Sequence, residues 1–277
     1  MKQYDIEKTL FVSDLDGTLL KSDGTLAPET AAAINGMAAR GLKFSFATAR
    51  SYHTAMQAAS NISAHLPLIL HNGVFIKDSV SGERLAVNLL DDVPFIRNIL
   101  TESKIHPIVY TLNGDTEKYT YVPELLSPEA AEFQATRIND PRDTPISDAN
   151  RIWDGEVFYV LCIGKENILR PAYEQLREKY NCIFAEDYYS HEMWLEILSP
   201  SASKASALLK LRDLLGCERT VVFGDAANDT AMFKAADEAY AVENAIPELK
   251  ALATGIIGSN DDGAVVKWLS ENVMPEK

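Results

Sequence analysis

The sequence predicts an α/β protein: a doubly wound parallel sheet interrupted by an inserted α+β domain. Three observations carry this. Strand-like and helix-like segments alternate over the first 80 residues, the same alternation returns after residue 200, and the stretch between has another character. Thr9 to Ser13 (TLFVS) reads as a short buried strand. Pro28 to Arg40 reads as a helix with Ile34, Met37 and Ala38 on one face, proline near its start and Gly41 just past its end. Leu42 to Ala47 is the next strand, Ser51 to Ser60 an Ala-rich helix and Pro67 to Leu70 a third strand. The order is βαβαβ, as parallel strands with crossover helices require.

At the other end, Ser203 caps a helix carrying Ala205, Leu208, Leu209 and Leu215. Thr220 to Phe223 is a strand, Asp229 to Ala236 a helix and Glu238 to Val242 a strand. Pro247 to Leu252 is helical, Gly255 to Gly258 strand-like and Val265 to Ser270 a closing helix. In the middle, Asp91 and Asp92 are expected to cap a helix with Phe95, Ile96, Ile99 and Leu100 inward. Pro107 to Leu112 and Lys118 to Val122 read as strands joined through Asn113-Gly114, a hairpin signal. Val157 to Ile163, a helix around Ile168, Ala172 and Leu176, and Cys182 to Ala185 repeat strand–helix–strand. Asn139 to Asn150 is a polar loop. The expected division is therefore a core of residues 1–82 and 191–277, split by an insert over 83–190.

Composition narrows the function classes. The 277 residues are 47% hydrophobic and 24% charged, enough to bury a real core. Forty acidic against 26 basic residues leave a net charge of −14, with no basic cluster to attract nucleic acid or an anionic membrane. Apolar runs such as Leu66 to Leu70 fall far below the roughly 18 residues that span a bilayer. The charged N-terminus does not read as a signal peptide. Cys162, Cys182 and Cys217 are widely spaced, as reduced buried thiols are, and His53, His65, His71, His106 and His191 form no ligand spacing. A cytoplasmic protein is expected.

Ligands of doubly wound sheets sit beyond the carboxyl ends of the strands. The first strand ends in Asp14-Leu15-Asp16-Gly17-Thr18, two carboxylates on a turn that Gly17 permits. Asp14 suits a nucleophile that becomes an aspartyl-phosphate, and Asp16 an acid that protonates the departing alkoxide and then deprotonates water. The second strand ends in Ala47-Thr48-Ala49-Arg50, where the Thr48 hydroxyl and the Ala49 N–H can donate to a phosphoryl oxygen. Lys204 stands in the first turn of its helix, where a cation opposes the helix dipole and calls for an anion. After TVVF comes Gly224-Asp225-Ala226-Ala227-Asn228-Asp229. Asp225 can complete an oxygen-rich Mg²⁺ site with Asp14 and the Asp16 carbonyl, Asn228 can hold a phosphate oxygen, and Asp229 can orient a metal-bound water or cap its helix.

Together the motifs DLDGT at 14–18, ATAR at 47–50, Lys204 and GDAAND at 224–229 resemble those of the haloacid dehalogenase superfamily of phosphatases, specifically the Cof-type hydrolases. The resemblance extends to Asn72-Gly73, Asn244-Ala245 and Ser259 through Gly263. It implies a Rossmann-like catalytic core with an inserted cap that selects substrate. It also implies Asp14 as nucleophile, Asp16 as acid/base, and Mg²⁺ on Asp14, Asp16 and Asp225, with Asp229 behind them. Phosphate would contact the Leu15 backbone, Thr48, Ala49, Lys204 and Asn228, with Arg50 and Asn72 also facing substrate. Ala49 stands where the family usually has glycine, Ser203 and Ser206 flank the lysine, and Ala226 and Ala227 make the last loop less polar.

The expected activity is Mg²⁺-dependent hydrolysis of small phosphomonoesters, sugar phosphates by default. Two readings compete: a phosphomutase on the same scaffold and a non-catalytic phosphometabolite-binding protein. Candidates for choosing the leaving group are Asn72, the 139–150 loop, Trp153, Tyr188, Tyr189 and Trp194. Neither a nucleic-acid nor a membrane partner is expected.

Overall fold

The structure, a computed structural model, describes residues 4–63, 66–187 and 190–273. It divides into two compact units, residues 1–87 with 203–277 and residues 88–202. The first unit opens with β1 (Thr9–Ser13), α1 (Pro28–Ala39), β2 (Lys43–Phe46), α2 (Tyr52–Ala58), β3 (Leu68–Leu70), β4 (Phe75–Lys77) and β5 (Arg84–Val87). The second unit contains α3 (Val93–Glu102), β6 (Ile108–Asn113), β7 (Thr116–Tyr121), α4 (Pro128–Ala135), β8 (Asp143–Pro145), β9 (Glu156–Gly164), α5 (Glu166–Leu176), β10 (Asn181–Glu186) and β11 (Met193–Leu198). The chain then completes the first unit with α6 (Lys204–Leu214), β12 (Arg219–Gly224), α7 (Thr230–Ala235), β13 (Glu238–Ala241), α8 (Pro247–Lys250), β14 (Gly255–Ile256) and α9 (Ala264–Asn272).

The first unit's main sheet is parallel, in the order β14-β13-β12-β1-β2. Strands buried on both faces are expected to be uniformly apolar, and β1 is buried at all five positions. From β1 the chain moves outward to β2, and on its return it lays β12 against the other side of β1. The strand order thus reverses at β1, which places the ligand crevice beyond the ends of β1, β2 and β12. β3 departs from the simple βαβαβ expectation. It meets the residue just past β2 at the isolated parallel bridge Ala47–Ile69, then folds into an antiparallel sheet with β4 and β5. Helix α1 is well formed, yet it carries Gly36 at an exposed position with open space where a Cβ would stand. Gly36→Ala is expected to stabilise the protein by about 0.5–1 kcal/mol, seen as a later urea midpoint at unchanged slope.

The second unit holds a six-stranded, mostly antiparallel sheet, β10-β11-β9-β6-β7-β8. Ile96, Ile99 and Leu100 of α3 and Leu169, Ala172 and Leu176 of α5 bury one face of it over Val109, Val160, Cys162, Leu195 and Ile197. The hairpin turns one residue later than Asn-Gly suggests. Asn113 still pairs with Thr116, so the loop is Gly114-Asp115, with Gly114 at φ +60° as the first residue of a two-residue turn.

Other expectations need correction. Asp92 starts α3 from a left-handed backbone conformation (φ +47°) without a side-chain capping bond, and its carboxylate accepts a 2.5 Å bond from Lys179. Phe95 is exposed and has the Lys179 ammonium over its ring. On α5 the inward residue is Leu169, while Ile168 is half exposed. The 139–150 loop contains the short strand β8, which pairs in parallel with β7. The units divide later than 83 and 190: Arg84–Val87 pairs with β4, and Met193–Leu198 lies between β9 and β10 in the second sheet. Among the described residues no helix is long and apolar enough to cross a membrane.

Candidate active site

Parallel register builds the site from strand ends. Ser13 pairs with Phe223 on one side and Phe46 on the other. The Asp14 N–H donates to the Phe223 carbonyl at 2.9 Å, which brings Asp14 beside the Gly224-Asp225 end of β12. Beyond β1 the chain reverses at Gly17, whose φ is +74°. A Cβ there would lie 2.4 Å from Asp225 Oδ2, so the close approach of the two motifs needs glycine as much as the turn does. The Asn244 amide holds the turn by donating to the Gly17 carbonyl at 2.7 Å, and Asn260 donates to the Leu20 carbonyl at 3.0 Å.

Three carboxylates converge. One oxygen from each of Asp14, Asp225 and Asp229 lies within 4.8 Å of the others, and all three residues are buried. Between two of them sits the fully buried Lys204 ammonium, 2.5 Å from Asp14 Oδ1 and 2.7 Å from Asp229 Oδ1. Helix α6 delivers it: the Ser203 hydroxyl accepts from the Ser206 N–H, the Ser206 hydroxyl accepts from the Ser203 N–H, and Lys204 becomes the first helical residue. Asp229 accepts from the N–H groups of Asp225 and Ala226 at 3.0 and 3.2 Å, which locks the loop after β12. Thr18 donates to Asp225 Oδ1 at 2.9 Å.

The electrostatics follow from burial. Loss of water pushes the Asp14 carboxyl well above its usual range, against the pull of Lys204 and with the push of Asp229, Asp225 and Asp16. Burial and then Asp229 raise Asp225 to about 7, while the Thr18 hydrogen bond pulls the other way. Burial alone would lower Lys204, but the Asp14 and Asp229 carboxylates outweigh it and hold the ammonium protonated. Asp16 is set apart from this cluster. Its side chain is about a quarter exposed, and the Arg50 guanidinium grips both of its oxygens, Nε to Oδ2 at 2.8 Å and Nη2 to Oδ1 at 2.6 Å.

The remaining sequence candidates fall nearby. Thr48 is fully buried, its N–H donating to the Ile69 carbonyl and its carbonyl accepting from Asn72 N–H, while Ala49 beside it is exposed. Leu15 is fully buried. His71, Asn72 and Gly73 all have positive φ, a run that only a tightly constrained loop sustains. A Cβ on Gly73 would lie 2.1 Å from the Ser203 carbonyl, so this loop is pressed against the start of α6. Asn72 is buried and its Oδ1 accepts from Asn228 Nδ2 at 3.1 Å. The structure thus joins Asp14, Lys204, Asp225 and Asp229 in one group, Asn72 with Asn228 in a second, and Asp16 with Arg50 in a third. Sequence reasoning misses the Thr18 bond and the Arg50–Asp16 pair, although Asp16 and Thr18 stand in DLDGT and Arg50 in ATAR. Trp153 and Trp194 lie in the second unit, both half-buried, and Trp194 meets the Phe133 ring edge-on. Tyr188, Tyr189 and His65 lie outside the described residues.

Comparison with known proteins agrees with this geometry. A family profile described as haloacid dehalogenase-like hydrolase matches residues 11–269. The chain is 29% identical over 280 residues to the 5-amino-6-(5-phospho-D-ribitylamino)uracil phosphatase YwtE of Bacillus subtilis, covering 93% of this chain and 96% of that one. It is 26% identical over 265 residues to the HMP-PP phosphatase of Serratia proteamaculans, covering 92% of each. A haloacid dehalogenase-like hydrolase from B. subtilis superposes with a TM-score of 0.77 at 22% identity, over 96% of this chain and all of that one. Another from Bacteroides thetaiotaomicron gives 0.78 at 22%, over 95% and 98%. With the profile covering residues 11–269 and its relatives matched over more than nine-tenths of their length, this protein belongs to the haloacid dehalogenase-like hydrolases, as a phosphatase of that superfamily.

Proposed function

We propose that the enzyme hydrolyses small phosphomonoesters in two steps through an aspartyl-phosphate on Asp14. The observation that carries this is the buried group of Asp14, Lys204 and Asp229 beside Asp225, at the ends of β1 and β12. In the first step an Asp14 oxygen attacks phosphorus as the ester oxygen departs, and Asp16 hands that oxygen its proton. In the second, water attacks the same phosphorus, Asp16 takes the water's proton, and Asp14 is released. Lys204, Thr48, Asn228 and the backbone N–H groups of Leu15 and Ala49 hold the phosphoryl oxygens. This is the positioning and charge neutralisation that phosphoryl transfer needs.

The donor set fits a hard divalent cation. Three buried carboxylates face one ammonium, so their excess negative charge calls for a counter-charge, and carboxylate oxygens suit Mg²⁺. Asp14, Asp225 and the Asp16 carbonyl would hold it, with Asp229 orienting its surroundings. Bound there, it would neutralise phosphoryl charge. Residues 88–202 form the cap that selects the leaving group, and the relatives' phosphorylated substrates make small sugar phosphates and similar cytoplasmic metabolites the substrate class.

Phosphate release from a panel of such esters, with Mg²⁺ and with EDTA, tests the reading. Mg²⁺-dependent release supports it, and release of isomerised sugar phosphate in place of inorganic phosphate overturns it. The raised Asp225 adds a pH signature. Below about 7 its carboxyl is protonated and competes with the cation, so the Mg²⁺ concentration for half activity is expected to rise as pH falls from 8 to 6. One competing proton gives about tenfold per pH unit at the acid end. A flat titration would count against Asp225 as a ligand.

A further inference from the structure

The resemblance places Arg50 among the residues that face substrate, but its guanidinium holds Asp16. Nε and Nη2 each donate to a different oxygen of Asp16, the parallel fork that fixes a carboxylate in plane. Such a fork removes rotation about the carboxylate's last bond. The fork itself uses one of the two lone pairs on each oxygen.

The guanidinium itself is mounted on a braced segment. The Arg50 carbonyl accepts from His71 N–H at 3.0 Å, and the Arg50 N–H donates to Thr48 Oγ1 at 3.1 Å. Thr48 is in turn tied to Ile69 and Asn72 through its backbone. The ends of β2 and β3 therefore hold the arginine, and the arginine holds a side chain that springs from the turn after β1. Asp16 lies beside a glycine, and its carboxyl is partly exposed. It is also near enough to the buried carboxylates for its charge to raise Asp14.

We propose that Arg50 is a positioning residue that aims the Asp16 carboxyl at the leaving-group oxygen and then at the attacking water. The inference rests on the reading of Asp14 and Asp16 given above. In the first step the Asp14–phosphorus bond forms as the ester P–O bond breaks, and the Asp16 proton passes to the departing oxygen. While Asp16 is protonated, its bare oxygen still accepts from the fork. In the second step a water oxygen bonds to phosphorus, the Asp14–phosphorus bond breaks, and the water's proton returns to Asp16. Ester and water become alcohol and phosphate, and both carboxyls are restored.

The test is the leaving-group dependence of the single-turnover rate of alcohol release, which reads the first step without the aspartyl-phosphate hydrolysis that all esters share. With Arg50→Ala, 4-nitrophenyl phosphate, whose leaving group needs little proton assistance, is expected to lose less than about tenfold in that rate. Phenyl phosphate and an alkyl phosphate are expected to lose about 100-fold or more, within the usual range for general-acid catalysis. Arg50→Lys recovers little, because an ammonium cannot make the fork, whereas added guanidinium ion restores part of the Arg50→Ala rate on the slow esters. In an Asp16→Asn background, Arg50→Ala costs little more, since its effect runs through Asp16.

An equal loss on all three esters would show a merely structural role. A loss confined to KM would return Arg50 to substrate binding, and a full additional loss in the Asp16→Asn background would separate the two residues. Each of these overturns the proposal while the two-step reading stands. Release that persists in Asp14→Asn would overturn both. If Arg50→Ala does not fold, Arg50→Gln and Arg50→Lys carry the same comparison.

Discussion

Asp14→Asn is expected to abolish phosphate release, by about four orders of magnitude or more, while the protein stays folded. The loss is large because the substitution removes the atom that forms the bond, which no neighbour replaces. Asp229 lies near Asp14 but accepts from two backbone N–H groups and from Lys204, so it is not free to substitute. The fold should tolerate the change. The amide is nearly the same shape, and Lys204 keeps its pair with Asp229. Removing one of three crowded carboxylates also relieves repulsion on Asp225 and Asp229. Near-normal release from the variant, with circular dichroism and melting unchanged, would refute the mechanism. An unfolded variant would leave Asp14→Glu as the discriminating form, since it keeps the charge but displaces the oxygen.

Lys204→Met is expected to cost both activity and stability. Its ammonium is fully buried and bonded to two carboxylates, so the substitution leaves them without their counter-charge. Breaking a buried pair from one side costs about 3–5 kcal/mol. The loss should depend on pH with a definite sign. Burial raises the folded-state pKa of Asp14 and Asp225 above the unfolded value, so ionising them in the folded state subtracts stability. The variant's deficit is therefore greatest at pH 8, above the value of about 7 for Asp225, and shrinks as pH falls toward 4 and the carboxyls take up protons. Urea melts of both proteins at pH 5 and 8, with EDTA present, test this. An equal deficit at both pH values would mean that lost packing, not unpaired charge, is the cause.

Much of the core was legible because its signals are local. TLFVS and TVVF are short, mostly apolar runs too short for helices, and helix α6 opens with a serine that caps it. The convergence of Asp14 with Asp225 was readable for a different reason: parallel strands of one sheet must end at one edge, whatever lies between them. What stayed hidden depends on distant partners. Asp92 has the right type and place for a cap, and only the fold reveals its left-handed backbone and its bond to Lys179. Phe95 fits an inward stripe, but the stripe on α3 is set by Ile96, Ile99 and Leu100. The strands Phe75–Lys77 and Arg84–Val87 are short, with a bulge between them, and carry too little periodicity to stand out. Arg50 and Asp16 lie 34 residues apart, and nothing in ATAR or DLDGT states that one will hold the other.

The central pairing of the first unit also sets an order of assembly. Thr9 pairs with Arg219, 210 positions later, and β1 is the strand on which both halves of the parallel sheet are laid. On the ribosome β1 and β2 emerge early and must wait for β12, whereas all six strands of the second sheet come from residues 108–198 and have their partners at hand first. The nascent segment that holds β1 therefore carries an apolar strand that stays without one neighbour until residues 219–224 have been made. During that interval the chain is most exposed to mispairing, and a chaperone would find its grip there.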